Sequence, residues 1–326
     1  MTLTRHGLWA ITLTGFAAAA GAQAQTGAYP TKPITLIVPT APGGTTDISA
    51  RMLAEPLGKA LGQTIVVDNR GGASGGIAAV AVKRAEPDGH TLLMQYSGYH
   101  VITPAVSKQP LGWEGKDFQA VANVLSAPQV IVARAGLPIK TMADLVAYAK
   151  ANPGKLTYAS SGNGSLQHVT GAMLEQQAGI QMTHVPYKGT GPALQDLLGN
   201  QVDVTFGTPP PYMQHIQSGK LRALAVTGKA RLASLPDVPT ATEAGLPKLD
   251  ATSWFAVFAP ANTPKPVIEK LSSEIAKVMA TPAFKQKAAE QGAAAEYMAP
   301  QQLTDYSKAE LARWAQVVKT SKIEAD

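Results

Sequence analysis

Apolar residues along this chain come in short β-branched runs. Each run is stopped by glycine or proline, and apolar residues at helical spacing follow. Residues 34–38 form the first run and read as a buried strand; Pro39, Pro42, Gly43 and Gly44 stop it. Thr45, Thr46 and Asp47 are N-cap residue types, and Ile48, Met52 and Leu53 then recur on one helical face. The same order repeats: a strand over 64–67, a glycine-rich stretch to Gly76, and a helix over 77–82. A third strand over 91–94 ends at Tyr96-Ser97-Gly98-Tyr99-His100. Strands over 118–125 and 129–133 flank a crossover.

A second round begins near Pro128, with strands over 156–159, 182–186, 202–206 and 221–226 and helices over 141–150, 166–177, 191–198 and 212–217. A strand over 254–258 and three helices, 265–280, 282–291 and 300–319, complete the pattern. Alternating strands and helices predict an α/β fold of parallel sheets with helices on both faces. The strands are too many for one sheet, so the expectation is two lobes with a cleft between them. Lobe 1 is expected over 25–127 and again over 253–326, and lobe 2 over 128–252.

Composition narrows the classes. Of 326 residues, 45% are hydrophobic, which supplies an ordinary globular core. The net charge of +6 comes from scattered basic residues, with no basic–aromatic cluster that would suit nucleic acid. The chain has no cysteine, which excludes thiol nucleophiles, Cys-ligated zinc, thiol redox chemistry and lipoprotein anchoring. Arg5 and His6 precede an apolar run over 8–20, and Ala22-Gln23-Ala24 forms an A-x-A site. Residues 1–24 are therefore expected to be a secretory signal peptide, and the mature protein periplasmic.

Three loops stand where strands run into helices: 39–47, 71–77 and 160–165. Helix N-termini carry unpaired N–H groups and a partial positive charge, so loops of this kind suit an anion. They contain few Lys or Arg, so the binding would rest on backbone N–H groups and Ser/Thr hydroxyls. No G-x-x-x-x-G-K-[ST] is present, and Gln167 stands where a dinucleotide fingerprint needs its third glycine. Gly72-Ala73-Ser74-Gly75-Gly76 matches G-x-S-x-G, so a secreted serine hydrolase using Ser74 is the alternative reading. Against it, several polar residues separate Ser74 from the strand end. The six histidines fall in no ligand spacing, and neither a metal nor a cofactor is expected. Tyr96 and Tyr99 either wall the cleft or pack between lobe and hinge.

A set of longer motifs is more specific. It comprises Tyr29-Pro30, Val38-Pro39-x-x-Pro42-Gly43-Gly44-x-x-Asp47, Val67-Asp68-Asn69-Arg70-x-Gly72-Ala73-x-Gly75-Gly76 and Ala85-x-Pro87-Asp88-Gly89. His184-Val185-Pro186-Tyr187-Lys188-Gly189 and Leu235-Pro236-Asp237-Val238-Pro239-Thr240 follow. With these the chain resembles the periplasmic receptors of tripartite tricarboxylate transporters, the Bug receptors, over essentially its whole mature length. The resemblance implies a two-lobed type II periplasmic-binding-protein fold, a Venus flytrap, with the ligand in the inter-lobe cleft. It implies that Thr40, Ala41, Gly43, Gly44, Thr45, Thr46, Ala73, Ser74 and Gly75 hold a carboxylate, often through water. Across the cleft it implies Ser160, Ser161, Gly162, Asn163 and Ser165. The family hands its ligand to a two-part membrane permease, which is not always encoded nearby. A monomer is expected. A sensor for a membrane kinase would share the ligand and fold and differ in partner.

Two positions depart from the family pattern. Gly207, followed by Thr208, stands where relatives commonly carry Asp, and Tyr99 stands where Thr is usual. Loss of the acid removes a partner for an amino group, and Tyr99 adds a flat wall. The expected ligand is a carboxylate without an amino group, with an aromatic dicarboxylate such as terephthalate as the candidate.

Overall fold

The computed structural model describes Thr2 and residues 29–321; the expected signal peptide otherwise lies outside the described residues. The first half of the chain contributes β1 (Ile34–Val38), α1 (Thr45–Leu61), β2 (Ile65–Asn69), α2 (Gly76–Lys83), β3 (Thr91–Tyr96), α3 (Thr103–Val106) and β4 (Phe118–Pro128). The middle contributes β5 (Val130–Arg134), α4 (Met142–Ala151), β6 (Thr157–Ser160), α5 (Leu166–Ala178), β7 (Thr183–Pro186), α6 (Thr190–Leu198), β8 (Val204–Gly207), α7 (Met213–Gln217) and β9 (Leu221–Val226). The return segment holds β10 (Thr252–Pro260), α8 (Lys265–Ala280), α9 (Pro282–Glu290), β11 (Ala294–Met298) and α10 (Pro300–Ser321).

These strands form two sheets, ordered β11-β4-β10-β3-β1-β2 and β7-β6-β8-β5-β9. The chain leaves the first sheet after β4 and returns to it at β10. The expectation of purely parallel sheets is corrected: both are mixed. β1 pairs parallel with β2 and β3, and β6 with β7 and β8, with helices in the connections between them. The strands next to the crossings run the other way. β10 is antiparallel to β3 and β4, and β5 is antiparallel to β8 and β9. A chain that passes from one lobe to the other needs a strand leading out and a strand leading back.

Residue alternation explains how the second sheet is packed. Ile131 and Ala133 of β5 point into one apolar layer with Tyr158 and Phe206, while Val130 and Val132 point into another with Leu197 and Tyr212. Strands covered on both faces read as continuous apolar runs, which is why no polar alternation marks them in the sequence. The first lobe has one larger core, in which Trp254 of β10 is fully buried.

Between the lobes, three chain segments are tied together. The Gln129 N–H is shared between the Thr227 hydroxyl at 2.9 Å and the Ala251 carbonyl at 3.2 Å. The Thr227 N–H returns to the Gln129 carbonyl at 2.9 Å, and the Thr227 hydroxyl donates to the Ala251 carbonyl. All three residues are buried, so the crossing is hydrogen-bonded at the point where the lobes would pivot.

Candidate functional site

The carboxyl ends of β1, β3, β6 and β8 face one another across the gap between the sheets, as expected for a ligand site in an open α/β sheet. Gly44 caps α1 with no side-chain hydrogen bond. Asp47 lies one turn further in, and its carboxylate accepts the Gly43 N–H at 3.0 Å and Arg51 Nε at 2.9 Å. The acid of this loop is therefore satisfied from behind. Thr40, Thr45 and Thr46 are left to face the cleft, each buried.

The second loop is held in a conformation that non-glycine residues rarely adopt. Ala73 and Ser74 have φ of 47° and 46°, and Gly75 follows at 84°. Left-handed backbone costs about 1–2 kcal/mol for an L-residue and clusters at ligand clamps. Here it carries the Ser74 hydroxyl across the gap, where it donates to the Asn163 carbonyl at 2.7 Å. A hydrolytic Ser74 would need a histidine base at that hydrogen. Ser160 does meet a histidine, 2.6 Å from His184 Nε2, but it is fully buried.

Within the lobe 2 loop the candidate residues divide by role. Ser160 bonds His184 and accepts the Gly162 N–H at 3.1 Å; Ser165 caps α5, accepting the His168 N–H at 3.3 Å. Both shape the loop from below. The Ser161 hydroxyl is buried, has no hydrogen-bond partner, and lies on the cleft wall. Gly162 and Asn163 form the opposite wall to Ala73 and Ser74.

The lobes are closed on one another. Besides the Ser74–Asn163 bond, the Ala41 N–H donates to the Lys188 carbonyl at 3.0 Å and the Leu166 N–H to the Tyr96 hydroxyl at 3.2 Å. The Thr208 hydroxyl donates to Thr45 Oγ1 at 2.6 Å, and the Tyr99 hydroxyl donates to the Ser161 carbonyl. Burial pushes the Tyr99 phenol up to about 12, so it stays a neutral donor. At 1% exposure, Tyr99 is a closing contact between lobes more than an open flat wall.

Closure leaves two spaces. The inner one, about 10 Å³, is lined by Thr40, Thr45, Thr46, Ser161, Gln167, Thr190, Thr208 and Gln129. That volume is about one water molecule. Thr40 Oγ1, Ser161 Oγ and both side-chain polar atoms of Gln129 have no hydrogen-bond partner there. No ionised side chain lines it. The outer space, about 390 Å³, opens between Ala73, Ser74 and Tyr99 on one side and Ser161, Gly162, Asn163 and Lys188 on the other.

Gly207 leaves no room for a side chain. A Cβ built on it lies 2.6 Å from the Tyr212 ring, which is itself fully buried. The ring fills the place of a side chain at 207, and no carboxylate can stand there.

Among the residues of the inner space that escaped the sequence reading, three carry polar side chains from the second lobe and the crossing: Gln167, Thr190 and Gln129. Gln167 accepts the Ser161 N–H at 2.6 Å and donates to the Thr190 hydroxyl at 3.1 Å, which fixes the loop to the start of α6. Gln129 is the third. Its only signal was a lone amide between two apolar strands, and Thr190 was hidden in an ordinary Gly-Thr-Gly turn.

A family model described as "Tripartite tricarboxylate transporter family receptor" matches residues 49–323. Solved structures agree in fold. The periplasmic binding protein BugD is 37% identical with a TM-score of 0.86, over 91% of this chain and 100% of that one. Rpa4515 of R. palustris with adipate is 35% identical with a TM-score of 0.88, over 91% and 99%. MatC of Rhodopseudomonas palustris with bound malate is 33% identical with a TM-score of 0.85, over 89% and 100%. In sequence and in fold, the chain belongs to the tripartite tricarboxylate transporter receptor family.

Proposed function

We propose that this protein is a periplasmic receptor that captures a small dicarboxylate without an amino group and passes it to a two-part membrane permease. The observation that carries the reading is the inner space between the lobes, where buried Thr40, Ser161 and Gln129 present polar atoms without partners. A carboxylate accepts from hydroxyl, amide and N–H donors at once, and such bonds to a charged acceptor are about twice as strong as neutral ones. The first-turn N–H groups of α1, α5 and α6 add partial positive charge from both lobes. With room for about one water in the closed form, entry of the ligand requires the lobes to part. Its second carboxylate extends into the outer space beside Ser74, Asn163 and Lys188.

Relatives bound to adipate and to malate support the dicarboxylate class. The Tyr212 ring behind Gly207 supports the absence of an amino-group partner. Within that class terephthalate is the aromatic member to test, because its two carboxylates stand about as far apart as those of extended adipate and the Tyr99 ring lines the outer space.

Thermal unfolding against malate, adipate, terephthalate, citrate and aspartate tests the reading. A true ligand at 100 times its Kd adds about 2.7 kcal/mol to stability, which raises the midpoint by several degrees. Stabilisation by one of the amino-free dicarboxylates and none by aspartate is the expected result. Equal shifts with aspartate, or no shift with any carboxylate, would refute the assignment.

A further inference from the structure

Consecutive residues of one turn face two different cavities. The turn Gly98–Ile102 is a π-helical turn, a form that recurs at functional sites. Its Tyr99 lines the outer cleft, whereas His100 and Val101 line a separate cavity of about 620 Å³ in the first lobe. The two spaces share no lining residue.

Aromatic rings packed on one another form one wall of this second cavity, and α10 residues Thr304, Ser307, Lys308 and Leu311 face them. His100 lies 4.5 Å from Phe258 between ring centroids, and 6.2 Å from Trp113 with the two planes 18° apart. Phe118 closes the wall, 5.8 Å from Trp113. His100 is 8% exposed, and its Nδ1 has no hydrogen-bond partner. Burial pushes its pKa down to about 4, so at neutral pH the ring is uncharged and offers one donor and one acceptor. A buried polar atom left without a partner is costly, and native proteins keep few of them without a use.

The rim of the cavity is charged. Lys116 pairs with Glu114 at 2.8 Å, and the two cancel. Lys308 of α10 has no ion pair among the described residues and leaves the mouth positive. Beside it Leu311 is 40% exposed, an apolar residue on an otherwise polar helix face.

We propose that this cavity is a second ligand site, for an aromatic monocarboxylate. The flat body lies in the space between the aromatic wall and α10, with one face against the rings and the other toward Ser307 and Leu311, and the carboxylate stays at the mouth against Lys308. The site is independent of the cleft reading: it would stand if the cleft ligand proved to be of another class.

Naphthalene-1-carboxylate is a suitable probe, because Trp113 on the wall reports its arrival by quenching. Saturable quenching of tryptophan emission is expected in the unmodified protein. Leu311→Glu, which puts a like charge at the mouth, and Lys308→Glu are each expected to weaken it at least tenfold, while Lys308→Arg retains it. Both weakened variants change exposed positions of α10, and their thermal midpoints serve as the control for folding. No saturable quenching in the unmodified protein overturns the proposal. So does quenching that neither Leu311→Glu nor Lys308→Glu alters, since the probe then binds elsewhere.

Discussion

Alanine at position 191 is expected to abolish ligand capture while leaving the fold intact. Gly191 sits in the first turn of α6 on the second lobe, and a Cβ built on it falls 2.0 Å from the Pro42 carbonyl oxygen of the first. No side chain can swing aside to relieve that contact, because the oxygen belongs to backbone. The loop around it is pinned by the Ala41 N–H to the Lys188 carbonyl at 3.0 Å. Separated lobes do not feel the methyl group. In a helix, alanine is better than glycine by up to about 1 kcal/mol, so the free protein should unfold at the same temperature or slightly higher. Closure carries the whole penalty. A loss of at least about 100-fold in affinity, or about 2.7 kcal/mol, is expected. Titration calorimetry with the carboxylate that most stabilises the unmodified protein measures it. Normal affinity in Gly191→Ala would show that the bound form keeps these two residues apart.

Acid should destabilise the protein through two histidines that the fold keeps neutral. His100 packs against Trp113, Phe118, Trp254 and Phe258 at the wall of the first-lobe cavity, and desolvation pushes its pKa down to about 4. His184 is pushed down to about 3, first by burial and then by His168, whose ring stacks on it at 4.1 Å. An unfolded histidine takes up its proton near pH 6.5. Between that pH and the native values, the unfolded chain binds more protons than the folded one, so stability falls as pH falls. The contribution is complete above about pH 6.5 and is lost by about pH 4 for His100 and by about pH 3 for His184. For His100 alone the loss by pH 4.5 is about 2 kcal/mol or more. Urea midpoints at pH 7 and 4.5, taken for the protein and for His100→Leu, measure the term as a difference. That comparison also removes the contribution of carboxylates such as Asp144, held low by the Lys140 N–H and the Thr141 hydroxyl. An identical pH dependence in the two proteins would contradict it.

Much of this architecture could be read before any coordinates, because it is written in local signals. Pro39, Pro42, Gly43 and Gly44 end β1 where the sequence says they must, and the glycines at 71, 72, 75 and 76 do the same after β2. The helices of the return segment begin at the expected positions. What was illegible depended on distant partners. Ala294–Met298 is a strand only because β4 offers it an edge; its own residues, mostly exposed, show no β pattern. The antiparallel course of β10 is set by where the chain returns from lobe 2. The π turn at Gly98–Ile102 leaves no periodicity to find in five residues.

At the candidate site, the residue types of the loops were legible and their division of labour was not. Ser160, Ser161 and Ser165 look alike in sequence. Only the partners His184 and the α5 N–H groups turn two of them inward and leave Ser161 on the wall. Asp47 looked like a cap and proved to be a brace for Gly43.

The neutral lining of the inner space has a consequence for the medium in which such a receptor can work. An anion held by lysine or arginine at an exposed site is attracted through a field that dissolved salt screens within about 10 Å at 0.1 M. Dipoles that touch the ligand inside a closed, water-excluding space act over a hydrogen-bond length, where no counterion can intervene. Threonine, serine and glutamine side chains with helix-end N–H groups would therefore keep their grip in brackish and dilute surroundings alike. At the inner carboxylate the arrangement gives up long-range attraction, and with it speed of encounter, in return for a hold that dissolved salt does not weaken; only the outer end of the ligand, beside Lys188, is left open to screening.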